Sequence, residues 1–446
     1  MKFKTSTLFA AMLLMVASSA DAVAHNHEKC RQEVISRGRG YYKEIFMDGG
    51  ISLTSRTSLP AAQFLGVKME YFASAKEPTK NDTLRQHRIF CGSENDTNGW
   101  LFYPDGAPRF RMIYVNGGKA APHALSFGNN GADGFNALNN FVKAGGSYVG
   151  TCAGAYVASK GGYTMKSNSV RNVGTYWNLW PGFTHTTRLR KSFTKMNLDR
   201  KSPLLRYFDF GGDRTVDSVR HNGGCYAYDG GANGLPAKTE ALARYGFKDT
   251  DKVQIDGKLA VWGYKENDDY GRVILCGSHP ESIGQGERVE FMSAMVLYAM
   301  DGNPTPKTKA HLEEGVVREM NKKTEDNDPA FTRIGDRQYH HFEIEIPRKC
   351  KRAVVSIEGY EEMRYFDLSL LAKQGELAFH DNTTIKSVAR GCKKKLYINN
   401  PKPGKWYVSV FCETTVVAYT GKYGTYYRGK TEVLNGVPYK ISVKYE

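Results

Sequence analysis

The sequence predicts an α/β protein built on a doubly wound parallel sheet, followed by an all-β sandwich. Three observations predict this fold. Between residues 41 and 302, short β-rich runs alternate with helical stretches, which is typical of βαβ units. After residue 330 the helical signals nearly vanish, and alternating runs recur between turn residues. A length of 446 residues also leaves room for two or three domains, each with its own core.

The N-terminus has the layout of a secretory signal peptide over residues 1–24. Two lysines precede the apolar run Leu8 to Ala17, and small residues follow it. Cleavage after Ala22 and cleavage after Ala24 both fit the small-residue pattern. The mature protein is therefore expected to be extracytoplasmic, either secreted or periplasmic.

The composition excludes several classes of protein. With 41% hydrophobic, 24% charged and 12% aromatic residues, the chain is close to the globular average and far from disordered, collagen-like or coiled-coil sequences. Lysine and arginine exceed aspartate and glutamate by 62 − 46 = 16, which favours anionic partners. Export argues against nucleic acid as that partner. Since basic residues cluster between residues 391 and 430, the C-terminal domain either binds an anionic surface or simply exposes a solvated basic face.

The chain carries eight cysteines, at positions 30, 91, 152, 225, 276, 350, 392 and 412. An oxidising destination permits disulfides among them, although spacing alone does not give their connectivity. A pairing of Cys30 with Cys91 is the one that we expect. If one cysteine stays free as a nucleophile, at least one further cysteine is unpaired.

The α/β domain is predicted over residues 25–303. Its predicted strands are Tyr42 to Met47, Val67 to Phe72, Phe110 to Val115, Ser147 to Thr151 and Val273 to Gly277. Its predicted helices are Phe135 to Ala144, Ala153 to Ser159 and Ser282 to Met300. The apolar run Phe291 to Met300 has about half the ~20 residues that cross a bilayer, so we predict a buried helix and no transmembrane segment.

A polar, charged stretch over residues 304–329 is predicted to be a linker that holds at most one short helix. The β-sandwich then covers residues 330–446. Its predicted strands are Phe342 to Ile346, Ala353 to Ile357, Leu396 to Ile398, Trp406 to Phe411 and Tyr439 to Val443.

The stretch around Cys152 carries the strongest chemical signal. A β-run ends in Gly-Thr-Cys-Ala-Gly and is followed by helix-forming residues, which is the shape of a nucleophile elbow. A sharp strand-to-helix turn needs small residues at Gly150 and Gly154, and it presents the thiol at a helix N-terminus, where thiolate is favoured. The alternative is a cysteine that serves as a small buried hydrophobic residue.

A second polar cluster, His279-Pro280-Glu281, directly follows the predicted strand Val273 to Gly277. Active sites of open parallel sheets lie at this carboxyl edge. Imidazole can take a proton from a thiol, and a carboxylate two residues away can orient the ring. Together with Cys152, these residues predict a Cys-His-Glu triad.

These two motifs resemble those of the class I glutamine amidotransferase-like superfamily. Within it, the Cys-Ala-Gly-Ala-Tyr run from Cys152 to Tyr156 and Asn222-Gly223-Gly224 are most similar to the biotin-protein-ligase N-terminal domain-like family. The resemblance covers about residues 41 to 302. It implies a flavodoxin-like sheet and attack on an amide or related acyl carbon.

The resemblance also implies roles for individual residues. Cys152 would be the nucleophile, His279 the general base and acid, and Glu281 the carboxylate that orients His279. The backbone N–H of Ala153 and one from the turn with Gly117 and Gly118 would bind the oxyanion. The residues Tyr156, Asn222, Gly223 and Gly224 would contact substrate.

The C-terminal segment resembles pre-peptidase C-terminal domains, which are β-sandwich appendages of secreted hydrolases. The resemblance rests on three stretches, namely Tyr365 to Leu371, the Pro403-Gly404-Lys405-Trp406 turn with its following strand, and Gly436 to Val443.

The sequence therefore predicts a secreted hydrolase or acyl transferase that forms a thioester on Cys152 and acts on a small-molecule or peptide amide. A cysteine peptidase or a γ-glutamyl hydrolase-like enzyme would use the same triad. A biotin ligase or a glutamine-dependent biosynthetic enzyme is not expected, since no ligase or synthetase module is recognisable. The alternative from another class is a non-catalytic protein that binds anionic glycans or surfaces. The sequence shows no Walker loop, dinucleotide fingerprint, EF-hand or zinc-helix motif, so we predict no cofactor and no metal.

Overall fold

The computed structural model describes residues 25–48, 59–72, 97–125, 133–230, 234–363, 365–421 and 424–446. The predicted signal peptide and Cys91 lie outside these ranges. The expected pairing of Cys30 with Cys91 therefore stays a prediction. The seven cysteines that the structure does describe are all free thiols.

The first domain begins with a helix over residues 25–36, named α1. Its other helices are α2 (Pro60–Leu65), α3 (Ala120–Leu125), α4 (Asp133–Lys143), α5 (Ala153–Ala158) and α6 (Gly286–Asp301). Its strands are β1 (Lys43–Asp48), β2 (Met69–Phe72), β3 (Phe110–Val115), β4 (Ser147–Thr151), β5 (Ser159–Thr164), β6 (Ser169–Asn172), β7 (Trp180–Thr186), β8 (Ser192–Leu198), β9 (Thr215–His221), β10 (Cys225–Ala227), β11 (Thr239–Gly246), β12 (Leu259–Tyr264) and β13 (Val273–Cys276).

The central sheet has the strand order β2-β1-β3-β4-β13-β12-β11-β8-β9. The first five strands are parallel, and the remaining neighbours pair antiparallel. The parallel half therefore has the flavodoxin-like strand order and confirms the predicted fold class. The carboxyl ends of β4 and β13 are adjacent, with Thr151 level with Cys276.

The central strands are buried on both faces, as a parallel sheet covered by helices requires. In β13, Val273 and Leu275 enter one hydrophobic cluster, whereas Ile274 and Cys276 enter the other. Helices α4 and α5 cover the first face, and α2 and α6 cover the second. The predicted buried helix Phe291 to Met300 lies within α6, and every one of its residues is buried. In the described part of the chain, no helix has the length and apolarity needed to cross a bilayer.

The sequence prediction of regular βαβ alternation fails between residues 159 and 264. This stretch forms strands that pair antiparallel, apart from the parallel pair β5 and β7. Its helical residues are short 3-10 turns at Pro203–Arg206 and Phe210–Gly212. Four of the strands extend the central sheet, and a second sheet has the order β10-β7-β5-β6. The antiparallel strands bring β9 and the turn after it to the edge where β4 and β13 end.

The C-terminal domain is a β-sandwich, as predicted. Its strands are β14 (Ala310–His311), β15 (Arg318–Met320), β16 (Tyr339–Ile346), β17 (Arg352–Gly359), β18 (Leu368–Gln374), β19 (Lys386–Ser387), β20 (Lys394–Asn399), β21 (Gly404–Cys412), β22 (Val417–Gly421), β23 (Gly424–Arg428) and β24 (Tyr439–Tyr445). One sheet has the order β14-β16-β21-β18-β19, and the other has the order β15-β24-β17-β20.

The segment 304–329, predicted as a linker, is part of this sandwich. Strand β14 pairs with β16 in one sheet, and β15 pairs with β24 in the other. The polar composition that suggested a linker arises because both are short, half-exposed edge strands. A 3-10 turn at Thr324–Asp326 is its helical element.

The two domains are joined by a buried ion pair. Arg109, just before β3, pairs with Asp336 of the sandwich, and neither side chain is exposed to solvent. Nearby, Lys309 pairs with Asp105 across the same junction. A cavity of about 510 Å³ also lies between the domains, and its lining includes Ala107 and Ala144, which precede strands β3 and β4. This cavity is therefore at the edge of the sheet opposite to Cys152.

Candidate active site

Cys152 lies in a strained turn between β4 and α5. Its backbone angles are φ 48° and ψ −103°, a conformation that side-chain-bearing residues rarely adopt. Its N–H donates to the carbonyl oxygen of Cys276 over 2.8 Å, which ties the turn to the end of β13. The residue is 4% exposed. Strain of this kind is found where a fold holds a functional side chain in place.

The two glycines beside Cys152 are required by close packing. A methyl group at Gly154 would lie 2.2 Å from the carbonyl oxygen of Val115. A methyl group at Gly150 would lie 2.6 Å from the backbone of Gly154. These contacts explain in physical terms why small residues flank Cys152, as the sequence predicts.

His279 and Glu281 lie just past the end of β13, beside Cys152. Nδ1 of His279 is 3.0 Å from Oε1 of Glu281, and both side chains are buried. The thiol of Cys152 is close enough to the imidazole of His279 to raise its pKa. The backbone N–H of His279 donates to the carbonyl oxygen of Arg220 over 2.9 Å, so the end of β9 also holds this turn.

The environment of His279 favours its protonated form. Burial alone would lower its pKa, but hydrogen bonds to Cys152 and to the Glu281 carboxylate oppose burial and raise the pKa to about 10. An imidazolium held beside a sulfur atom is the arrangement that stabilises a thiolate.

The predicted oxyanion residues border these side chains to different extents. Gly117 is buried directly against them, since a methyl group there would lie 2.2 Å from Cε1 of His279 and 3.2 Å from Cβ of Cys152. Gly118 is exposed. Ala153 is the first residue of α5, where the backbone N–H has no acceptor inside the helix. Because α5 has only six residues, its dipole adds little to the field at the thiol.

The loop Asn222–Gly224 forms one wall of the site. The carbonyl oxygen of Asn222 lies 3.9 Å from Sγ of Cys152. The hydroxyl of Tyr156 donates to the carbonyl oxygens of Gly223 (3.3 Å) and Gly224 (2.9 Å). The structure therefore places Asn222 against the thiol of Cys152 and joins Tyr156 to Gly223 and Gly224. It also shows the hydroxyl of Tyr156 bound to the loop.

A buried polar chain behind this loop was missed at the level of sequence. Ser278 Oγ is 2.7 Å from Nδ1 of His221, and Nε2 of His221 is 2.6 Å from Oγ1 of Thr187. Thr187 in turn donates to the carbonyl oxygen of Gly224 over 3.0 Å. One neutral tautomer of His221 satisfies every bond, because Ser278 then donates to Nδ1 and Nε2–H donates to Thr187.

Burial and the nearby His279 lower the pKa of His221 to about 4, which keeps this second histidine neutral. The chain therefore links the turn that carries His279 to the loop that faces Cys152. Its only sequence signals were the position of Ser278 just before His279 and that of His221 just before the loop.

No group of three histidine, cysteine or acidic side chains within the described residues is arranged to hold a metal ion. The chemistry that the described side chains offer is that of a nucleophilic thiol with an adjacent acid–base pair.

Comparison with protein families gave one match, which lies within the first domain. Residues 107–295 match the family described as biotin-protein ligase, N terminal. The matched stretch contains Cys152, His279 and Glu281. This match confirms the family resemblance that the sequence motifs indicated. A comparison with curated protein sequences gave no match.

Solved structures similar to parts of the chain include the following three. PurLQS from Thermotoga maritima is 13% identical, with 57% of this chain and 99% of that chain covered at a TM-score of 0.33. A glutamine amidotransferase from Thermotoga maritima is 9% identical, with 57% and 82% covered at a TM-score of 0.28. The pre-peptidase C-terminal domain of a collagenase from Bacillus anthracis is 16% identical, with 31% and 98% covered at a TM-score of 0.19.

Proposed function

We propose that this protein is a cysteine hydrolase or acyl transferase that cleaves an amide-type bond through a thioester on Cys152. The observation that carries the proposal is the strained Cys152 beside a buried His279 whose Nδ1 is bound to Glu281. A match to the biotin-protein ligase N-terminal family covers all three residues. A purely structural cysteine has no need of a strained backbone, an imidazole partner and an orienting carboxylate at once.

In the first half of the reaction, the Cys152 thiolate attacks the acyl carbon and forms a C–S bond. The carbonyl π electrons move onto oxygen. When the tetrahedral adduct collapses, the C–N bond breaks and His279 gives its proton to the departing nitrogen. The products of this half are a free amine or ammonia and a thioester on Cys152.

In the second half, neutral His279 removes a proton from water as the water oxygen attacks the thioester carbon. The C–S bond breaks, the carboxylic acid leaves, and the thiolate–imidazolium pair is restored. An amine in place of water would make the same enzyme an acyl transferase. Glu281 orients the imidazole and stabilises the imidazolium.

The oxyanion that forms in both halves needs preorganised donors. The N–H of Ala153 and the backbone at Gly117 lie beside Cys152 and fit this role. Gly117 also keeps the space next to His279 open, because a side chain there would overlap the imidazole ring.

The compartment in which the protein acts, outside the cytoplasm, is proposed from the sequence. The signal-peptide pattern of residues 1–24 and the sandwich domain both suit an exported hydrolase. Small amides, γ-glutamyl compounds and peptides all present the acyl carbon that the mechanism requires.

A substrate screen tests the proposal. Purified protein is incubated with chromogenic amide, γ-glutamyl and peptide substrates, and the acyl-enzyme is sought by mass spectrometry after acid quench. We expect Cys152→Ser and His279→Ala to lose about a thousandfold or more of any activity found, with an unchanged folding transition. Activity that survives both substitutions would refute the assignment.

A further inference from the structure

Four exposed cations surround the wall of the site that is formed by the loop Asn222–Gly224. Arg188, Arg190 and Lys191 lie on the connection between β7 and β8, and Arg220 lies near the end of β9. None of the four is within ion-pair distance of a carboxylate among the described residues. We name these four residues the basic rim.

The connection that carries three of these cations is fixed to the wall by backbone hydrogen bonds. The N–H of Gly223 donates to the carbonyl oxygen of Leu189 over 2.6 Å, and the N–H of Thr187 donates to that of Gly224 over 2.9 Å. The N–H of Lys191 donates to Oδ1 of Asn222 over 3.2 Å. The rim is therefore built onto the same loop that faces Sγ of Cys152.

The connection between β7 and β8 also contains backbone conformations that are unfavourable for residues other than glycine. Arg188 (φ 60°) and Lys191 (φ 47°) both adopt left-handed backbone angles without being glycine. The fourth cation is Arg220. Its backbone carbonyl oxygen accepts a hydrogen bond from the N–H of His279, which ties the end of β9 to the triad. Both elements that hold the wall therefore carry exposed cations.

We infer that the basic rim selects anionic substrates, so that the amide which this site cleaves carries a carboxylate or another negatively charged group near its acyl carbon. This inference rests on the proposed function of Cys152. Unpaired cations at the mouth of a site concentrate anions there and orient them, and they lose this effect as salt screens them. Glu281 does not cancel the rim, since it is buried against His279.

A pair of alkylating reagents tests the inference before any substrate is known. Iodoacetate and iodoacetamide react in the same way, with displacement of iodide by the thiolate and formation of a C–S bond, but only iodoacetate carries a negative charge. The measured quantity is the ratio of their rate constants at Cys152, followed by peptide mass spectrometry. A change in the thiolate population of Cys152 alters both rate constants equally, so it cancels in their ratio.

The test compares full-length wild type with a triple variant, Arg188→Asn, Arg190→Gln and Lys191→Asn, in which asparagine suits the left-handed positions. We expect the iodoacetate-to-iodoacetamide ratio to fall about three- to tenfold at low ionic strength. At about 1 M salt, where the Debye length is ~3 Å, the wild type and the variant should converge.

A matched control removes three exposed cations from the sandwich, by Lys395→Gln, Lys402→Gln and Lys444→Gln. If this control leaves the iodoacetate-to-iodoacetamide ratio at Cys152 unchanged, the ratio depends on where the cations lie and not on the net charge of the protein. Equal ratios in wild type and triple variant would overturn the inference and leave the proposed function standing. Failure of both reagents to modify Cys152 would instead overturn the proposed function itself.

Discussion

Nδ1 of His279 lies 3.0 Å from Oε1 of Glu281, in a pocket where both side chains are buried. A buried carboxylate two residues from a buried imidazole is costly unless the two groups neutralise each other. The raised pKa of His279 therefore keeps its imidazole in the protonated form beside Glu281 at neutral pH.

The first prediction concerns the titration of His279. Its pKa is raised to about 10 by the hydrogen bonds to Cys152 and Glu281, which outweigh burial. We expect the imidazole resonance, assigned by comparison with His279→Gln, to titrate well above 6.5 in NMR of histidine-labelled protein. In Glu281→Gln the midpoint should move down, because the carboxylate no longer stabilises the proton. A midpoint near 6.5 in the wild type would contradict the described pairing.

The same pKa shift has a consequence for stability. Because the folded-state pKa lies above the unfolded value, the pair contributes stability in full below about pH 6.5 and loses it as pH rises towards 10. The difference in free energy of unfolding between wild type and Glu281→Gln should therefore narrow over this range in urea titrations. If the difference in free energy of unfolding widened as pH rises, the pKa of His279 would not be raised in the folded protein.

The second prediction concerns Gly117. In Gly117→Ala the new methyl group would lie 2.2 Å from Cε1 of His279, so the imidazole must move away from Cys152. We expect alkylation of Cys152 to slow at least tenfold while the folding transition shifts only modestly. Gly174→Ala, at a position with open space, is the control. An unaffected alkylation rate in Gly117→Ala would argue against contact between these groups.

The third prediction concerns Gly154, where the obstacle is backbone and not a movable side chain. A methyl group would meet the carbonyl oxygen of Val115 at 2.2 Å. We expect Gly154→Ala to destabilise the protein by about 1–3 kcal/mol or more, measured by urea denaturation against Gly174→Ala. Equal stability of the two variants would mean that the turn is looser than described.

The fourth prediction concerns the polar chain through His221. Replacing His221 by phenylalanine removes the ring partner of the buried Ser278 and Thr187 hydroxyls, although Thr187 keeps its bond to the Gly224 carbonyl oxygen, and we expect a loss of about 1–3 kcal/mol. Because the chain joins the His279 turn to the loop facing Cys152, alkylation of Cys152 should slow as well. His221→Gln, which keeps polar atoms, should restore part of the rate.

A control for that experiment is a buried histidine far from the site. His341 of the sandwich is hydrogen-bonded to Ser409 over 2.7 Å, and burial lowers its pKa to about 3. His341→Phe should lower stability without changing the reactivity of Cys152. If it slows alkylation as much as His221→Phe does, the effect is general destabilisation and the polar chain has no positioning role.

The parallel half of the sheet could be predicted from sequence because its strands are short apolar runs that end at glycine turns. Strands β3 and β4 were predicted with their observed bounds. The antiparallel half was missed although strand β8 alternates buried and exposed residues along most of its length. Strong helical signals on either side of this stretch favoured continued βαβ alternation.

The residues of the site also divide into those that sequence predicts and those that it does not. Cys152, His279 and Glu281 are adjacent to strand ends, and their motifs are local, so sequence was sufficient to single them out. The chain of Ser278, His221 and Thr187 is assembled from three distant segments, and polar residues of these types carry no local signal of it. Tertiary pairing of β9 with the turn after β13 creates this contact, and periodicity does not encode such pairing.

The measurement that tests the central claim most directly is the rate at which iodoacetamide modifies Cys152 across pH, in wild type and in His279→Ala. The thiolate is the reacting form, and a free thiol titrates near 8.5. We predict rapid modification of wild-type Cys152 well below that pH, and slow modification in His279→Ala that recovers only as pH rises. A wild-type Cys152 that stays inert, or that reacts equally in both proteins, would contradict the proposed triad.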